Sequence, residues 1–160
     1  LMRIAGAVAL LAALLHAWRL YGWQGSRTLK QPILWVLHLG YLWLALGLAW
    51  KGMVDLTGIL PPADALHGLA IGAVGTMTLA VMSRATLGHT GRPMHAAPPI
   101  VAAYLLVGAA AIARLAAPLA PAHLVPLLVI SGALWSLAFA AFAIRLGPAL
   151  LRPRADGRPG

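Results

Sequence analysis

The stretch Leu124-Val-Pro-Leu-Leu-Val-Ile-Ser-Gly-Ala-Leu-Trp-Ser-Leu-Ala-Phe-Ala-Ala-Phe-Ala-Ile-Arg-Leu146 decides the fold. Its one charged side chain, Arg145, lies in the last turn. A helix crossing the ~30 Å hydrocarbon layer of a bilayer needs about 20 mostly apolar residues, and this stretch meets that length. A helix on the surface of a soluble domain would carry a polar face instead.

The same signature recurs upstream. Reading outward from residues 124–146 predicts an all-α, polytopic transmembrane bundle over residues 1–147. Its spans cover about residues 4–21, 32–50, 65–84, 100–117 and 124–146, and a basic tail follows over residues 148–160. The boundaries carry local signals. Pro32 suits a first helical turn because it has no amide hydrogen to satisfy. Asp64 is placed to cap the third span. Pro118 and Pro121 separate the fourth from the fifth. Gly22–Gln31, Lys51–Pro62 and Gly88–Pro99 read as connectors. The run Ile4–Leu15 leads into His16, Trp18 and Arg19 without a small-residue cleavage site, so it reads as a span and not as a signal sequence.

Composition agrees. Of 160 residues, 61% are apolar and only 9% charged, against about a quarter charged in soluble domains. Mean hydropathy is +0.86. There is no cysteine, which excludes disulfides, thiolate zinc sites, cysteine-held iron–sulfur clusters and haem attached through Cys-x-x-Cys-His. The net charge of +9 sits at the ends of apolar runs. It therefore points to the lipid bilayer as partner and not to nucleic acid.

The basic residues also orient the bundle. Arg19, Arg27, Lys30, Arg84, Arg92, Arg145, Arg152, Arg154 and Arg158 fall on one side, and Arg3, Lys51 and Arg114 on the other. By the positive-inside rule the first span runs from outside to inside and the C-terminus is cytoplasmic. An odd number of spans with an outside N-terminus reads as the later part of a longer membrane protein.

Six histidines are the main chemical clue, because ionisable residues inside spans are costly and often mark a functional site. His16 lies about 7–8 Å and His38 about 9 Å inside the cytoplasmic edge, on consecutive antiparallel helices. That matching depth suits two imidazoles on one haem iron or one shared metal. His89 and His95 join this inner group, and His67 and His123 form an outer one. Each histidine has an ordinary reading too, as a neutral hydrogen-bonding group between helices. Tyr41 is one turn from His38, and Asp64 is three residues before His67.

Other features divide similarly. Gly68-x-x-x-Gly72, continued by Thr76 and Ala80, is a small-residue stripe suited to close helix packing. The tryptophans fall mostly near predicted span ends, as an aromatic belt requires. Arg84 and Arg92 flank Thr86, His89 and Thr90. They form either a solvated positive loop or a pocket for an anion such as a haem propionate. No phosphate-binding loop or nucleophile elbow is present. With three acidic residues, none in a predicted span, a carboxylate proton relay is not expected.

The segment His67-Gly-Leu-Ala-Ile-Gly-Ala-Val-Gly-Thr-Met-Thr-Leu-Ala-Val-Met-Ser-Arg-Ala-Thr-Leu-Gly-His-Thr-Gly-Arg92 closely resembles the signature of the NnrS family. His38, Gly40 and Tyr41 also look like the family pattern, and the resemblance extends over the whole chain. It implies a multi-pass protein of the bacterial inner membrane that contains haem and copper and is linked to nitric oxide metabolism and resistance. It also implies that His38, His67 and His89 belong to metal or haem chemistry. Family members are longer, so the chain looks like a C-terminal portion whose missing N-terminal spans would add further ligands. Combined with depth, this makes His16 and His38 the expected inner ligands, His67 an outer ligand, and Arg84 or Arg92 the partner of propionates. The expected substrate or ligand is nitric oxide or a nitrosyl–iron species, with or without turnover. Two other classes stay open: half of a small-molecule transporter or channel, and a structural or assembly subunit using the small-residue stripe.

Overall fold

The computed structural model describes residues 1–157; Arg158, the last of the basic residues counted above, and the two residues after it lie outside them. Five helices are long and apolar enough to cross a membrane. They are α1 (Met2–Gly22), α2 (Pro32–Thr57), α3 (Pro62–His89), α4 (Pro98–Ala116) and α5 (Leu124–Leu150). Among the described residues there is no strand. The all-α bundle expected from hydropathy is what forms.

The helices outrun the apolar stretches that announce them. α2 continues seven residues past Trp50 and stops at Gly58, which takes φ +67° and donates its N–H to the Val54 carbonyl. This is a common helix ending, because glycine enters the left-handed region at no steric cost. Lys51 and Asp55 therefore lie inside a helix, one turn apart, and form an ion pair. Asp55 is buried. The expectation that no acidic residue falls in a spanning helix is corrected on this point. Asp64 does not cap α3. It sits within the first turn, after Pro62, and the helix start carries no side-chain cap. α3 also runs on to His89, which becomes its last residue instead of a connector residue.

α1 lies along α2, α2 packs on α3, and α4 joins α3 to α5. The core gathers Val36 from α2, Leu79 from α3, Tyr104 and Val107 from α4, and Ala138 and Phe142 from α5. Lipid tails are as apolar as these side chains, so close packing and interhelical hydrogen bonds hold such a bundle. Ser131 supplies one of them, donating from α5 to the Ala110 carbonyl of α4 at 2.8 Å. The small-residue stripe of α3 does what its composition suggests. Residues Gly68–Gly75 are wound as a π-helix, and a Cβ at Gly72 would lie 2.7 Å from the Trp43 ring. Trp43 is thus a buried packing residue, not a member of an interfacial belt.

The segment after α5 turns back. The Ala155 N–H donates to the Thr90 carbonyl at 2.9 Å, and Arg154 Nη1 donates to the His89 carbonyl at 3.1 Å. A cation at a helix C-terminus complements its partial negative charge. Asp156, hydrogen-bonded to Arg154, pushes that guanidinium further above its ordinary pKa, so the charge is permanent.

Candidate functional site

His38 lies one and a half turns into α2. Its Nδ1 is 3.2 Å from the Leu34 carbonyl, four residues back. A carbonyl only accepts, so Nδ1 carries a proton, and in the neutral ring Nε2 is the nitrogen with the lone pair. A backbone carbonyl holding one ring nitrogen is the usual way a protein orients an imidazole for a metal on the other. The connector after α1 closes over this ring. Trp23 meets it edge-on at 6.1 Å, and a Cβ at Gly25 would lie 2.8 Å from its Cδ2.

His16 reaches the same end of the bundle from α1. Its Nδ1 is 2.6 Å from the Tyr41 hydroxyl. Tyr41 therefore partners His16 rather than His38, its neighbour on the same helix. Tyr41 also packs on Trp23 at 4.5 Å. The two histidines are joined through one ring chain: His16, Tyr41, Trp23, His38. Matching depth was legible in the spacing; the tyrosine and tryptophan that link the rings were not.

Two cavities adjoin this chain of rings. One, of about 300 Å³, is lined by His38, Trp35, Leu29 and Leu39, together with Leu20, Gly25 and Leu42. The other, of about 680 Å³, shares Leu20, Gly25 and Leu42 and adds Tyr21, Gln24 and Arg27. His38 thus sits in an apolar hollow that continues toward a cation.

The remaining predicted residues go elsewhere. His67 uses both ring nitrogens: Nδ1 donates to the Asp64 carbonyl at 3.3 Å, and Nε2 accepts from Arg114 Nη2 at 3.1 Å. Arg114 also pairs with the Asp64 carboxylate at 3.6 Å. A metal at His67 would have to displace that guanidinium. His89 is exposed at the far end of α3, about 33 Å along the helix from His67, so one ion cannot join them. Arg84 reaches from α3 to within 3.5 Å of the Ile33 carbonyl in the first turn of α2. Arg92 bonds the Thr90 carbonyl at 3.3 Å and lines a separate cleft with His95 and Arg145. His123 is exposed just before α5. Among the described residues, no three His, Asp or Glu side chains converge to hold a metal ion.

Sequence reasoning missed Trp23 beside His38, Arg27 on the adjoining cavity, Arg114 beside His67, and Arg145 on the cleft that Arg92 lines. Only the i, i+4 spacing of Lys51 and Asp55 carried a usable signal, since oppositely charged residues at that spacing stabilise a helix.

No curated protein and no solved structure matches the chain. A family model does: that of the NnrS protein, over residues 1–154. It takes in all five helices and the whole arrangement around His38. With nearly the entire length matched, and with five helices suited to a bilayer, the chain belongs to the NnrS family of membrane proteins.

Proposed function

We propose that this protein binds haem through His38 within the membrane and acts in the response to nitric oxide. The observation that carries the reading is the His38 imidazole, held at Nδ1 by the Leu34 carbonyl so that Nε2 is the nitrogen left for a ligand, on the wall of an apolar cavity. The donor set fits haem: one oriented imidazole, apolar walls, and Arg27 on the adjoining cavity for a carboxylate. Arg84, near the first turn of α2, is the second cation at this end. Bound haem supplies an iron that takes a diatomic ligand directly.

The chain's own residues do the rest. Leu34 sets the tautomer of His38. Trp23 and Gly25 limit its rotation. Tyr41 holds His16, whose Nε2 would be left free to accept if Nδ1 donates to the tyrosine oxygen. Nitric oxide is small, uncharged and lipid-soluble, so a site among membrane helices is reachable without a channel. Nitrosyl–iron species and a bacterial inner-membrane setting belong to the same proposal, on the strength of the family. Copper fits less well. His67 and His89 are far apart, Arg114 occupies the free nitrogen of His67, and among the described residues no three His, Asp or Glu side chains converge, so no step is assigned to copper here.

The test is an optical spectrum with metal analysis on the full-length protein and on His16→Ala, His38→Ala, His67→Ala and His89→Ala. The wild type should show a Soret band that shifts with nitric oxide. His38→Ala should lose the band, while His67→Ala and His89→Ala keep it. A wild type without haem, or a His38→Ala protein with an unchanged band, overturns the proposal.

A further inference from the structure

The cleft between the end of α3, the start of α4 and the last turns of α5 has no part in the reading above. Its volume is about 310 Å³. Buried Leu87, Ile100 and Leu146 make its floor, and Arg92, His95 and Arg145 stand at its rim. These side chains have no charged partner among the described residues. Arg145 and His95 make no side-chain hydrogen bond or ion pair among the described residues, and Arg92 bonds only a neutral carbonyl.

Each of the three aspartates already pairs with a cation outside the cleft. Asp55 is paired with Lys51, Asp64 with Arg114, and Asp156 with Arg154. The start of α4 borders the cleft at Ala97 and Ile100 and brings no acidic residue in its first turn. Pro98 and Pro99 have no N–H, and those of Ile100 and Val101 are bonded to the Ala97 carbonyl, so the positive field of the cleft comes from its two arginines.

We propose that this cleft binds a phosphate group, supplied by the headgroup of an anionic membrane lipid. The surroundings favour a lipid over free phosphate. Ile144 and Leu150, near Arg145 on α5, are exposed apolar residues suited to acyl chains. The positive-inside orientation puts this end in the cytoplasmic leaflet, where basic pockets between spans take anionic headgroups. The volume is at the low end of the roughly 300–1,000 Å³ typical of ligand pockets, enough for a headgroup.

The experiment compares lipid retention and thermal stability of the full-length protein with phosphatidylglycerol vesicles, phosphatidylcholine vesicles and inorganic phosphate. Phosphatidylglycerol should be retained and should raise Tm; phosphatidylcholine should not. Arg92→Gln and Arg145→Gln should each weaken retention about tenfold, the scale of one lost charge-assisted hydrogen bond. Arg152→Gln, which removes the same charge outside the cleft, should retain lipid as the wild type does. Arg145 is exposed and bonded to nothing, so its replacement leaves folding intact; His95→Gln is the second variant. Equal protection by inorganic phosphate would support the phosphate site and identify free phosphate as its source. Retention unchanged in the cleft variants, or lowered as much by Arg152→Gln, overturns the proposal. So does an Arg145→Gln protein that keeps lipid and loses haem, which would give the cleft to the haem. Because lipid is read directly, the result stands apart from whether His38 binds haem.

Discussion

Replacing Gly25 with alanine perturbs the His38 site without touching its chemistry. Gly25 is not in the left-handed region, so alanine adopts its backbone conformation without strain and lowers unfolded-state freedom. That alone favours the folded protein by about 0.4–1 kcal/mol. The new methyl, however, would lie 2.8 Å from His38 Cδ2 and 3.1 Å from Cγ, where ordinary contact begins at 3.4 Å. The ring must withdraw by about 0.6 Å to restore carbon–carbon contact distance. Its Nδ1 already stands 3.2 Å from the Leu34 carbonyl, so such a shift breaks that hydrogen bond, at about 1 kcal/mol. The two effects nearly cancel, and Tm should move by no more than about 2 °C. Ligand geometry has no such cancellation, because a productive constellation tolerates about 0.5 Å of error. Haem occupancy, read from the Soret band per protein, should fall about tenfold, the scale of the one lost orienting bond. A Gly25→Ala protein with wild-type haem content and an unshifted nitric oxide spectrum would refute the assignment of this cavity to the ligand.

Gly72→Leu should destabilise the bundle by about 1–3 kcal/mol or more through overpacking against Trp43; Gly132→Leu, where nothing lies within 4 Å, is the matched control, and equal Tm values for the two would contradict the packing described. Lys51→Ala should lower stability by about 3 kcal/mol by leaving the Asp55 carboxylate buried without its cation. Lys51→Ala with Asp55→Asn should recover most of that loss in denaturation experiments, and no recovery would mean that the lysine acts through packing alone. Arg154→Ala should release the turn after α3, seen as faster hydrogen exchange at the Ala155 amide, which bonds Thr90; unchanged exchange would show that the backbone contact holds without the guanidinium.

Legibility differed sharply between elements. The five spans were readable because hydropathy over about 20 residues is a local property that the bilayer enforces. Helix ends were not, because caps end helices. Gly58 carries α2 through Lys51 and Asp55, residues whose charge suggested a connector. Such a pair crosses the boundary only because each charge neutralises the other. The position of His38 within its span was readable from spacing, and its Leu34 partner follows from helical geometry alone.

By itself the sequence determined the all-α class, the number of spans, the asymmetry of basic charge, the NnrS resemblance and the depth of each histidine. The tertiary structure decided which partner each histidine meets: Tyr41 for His16, Arg114 for His67, and the connector residues Trp23 and Gly25 for His38. It also decided that Arg92 and Arg145, far apart in the chain, share one cleft. The reason is rotational. A soluble helix announces its inner face by an apolar stripe, but a helix apolar all round does not, and its rotation is set by neighbours through small residues and hydrogen bonds. Depth is written along the chain; facing is written only between helices.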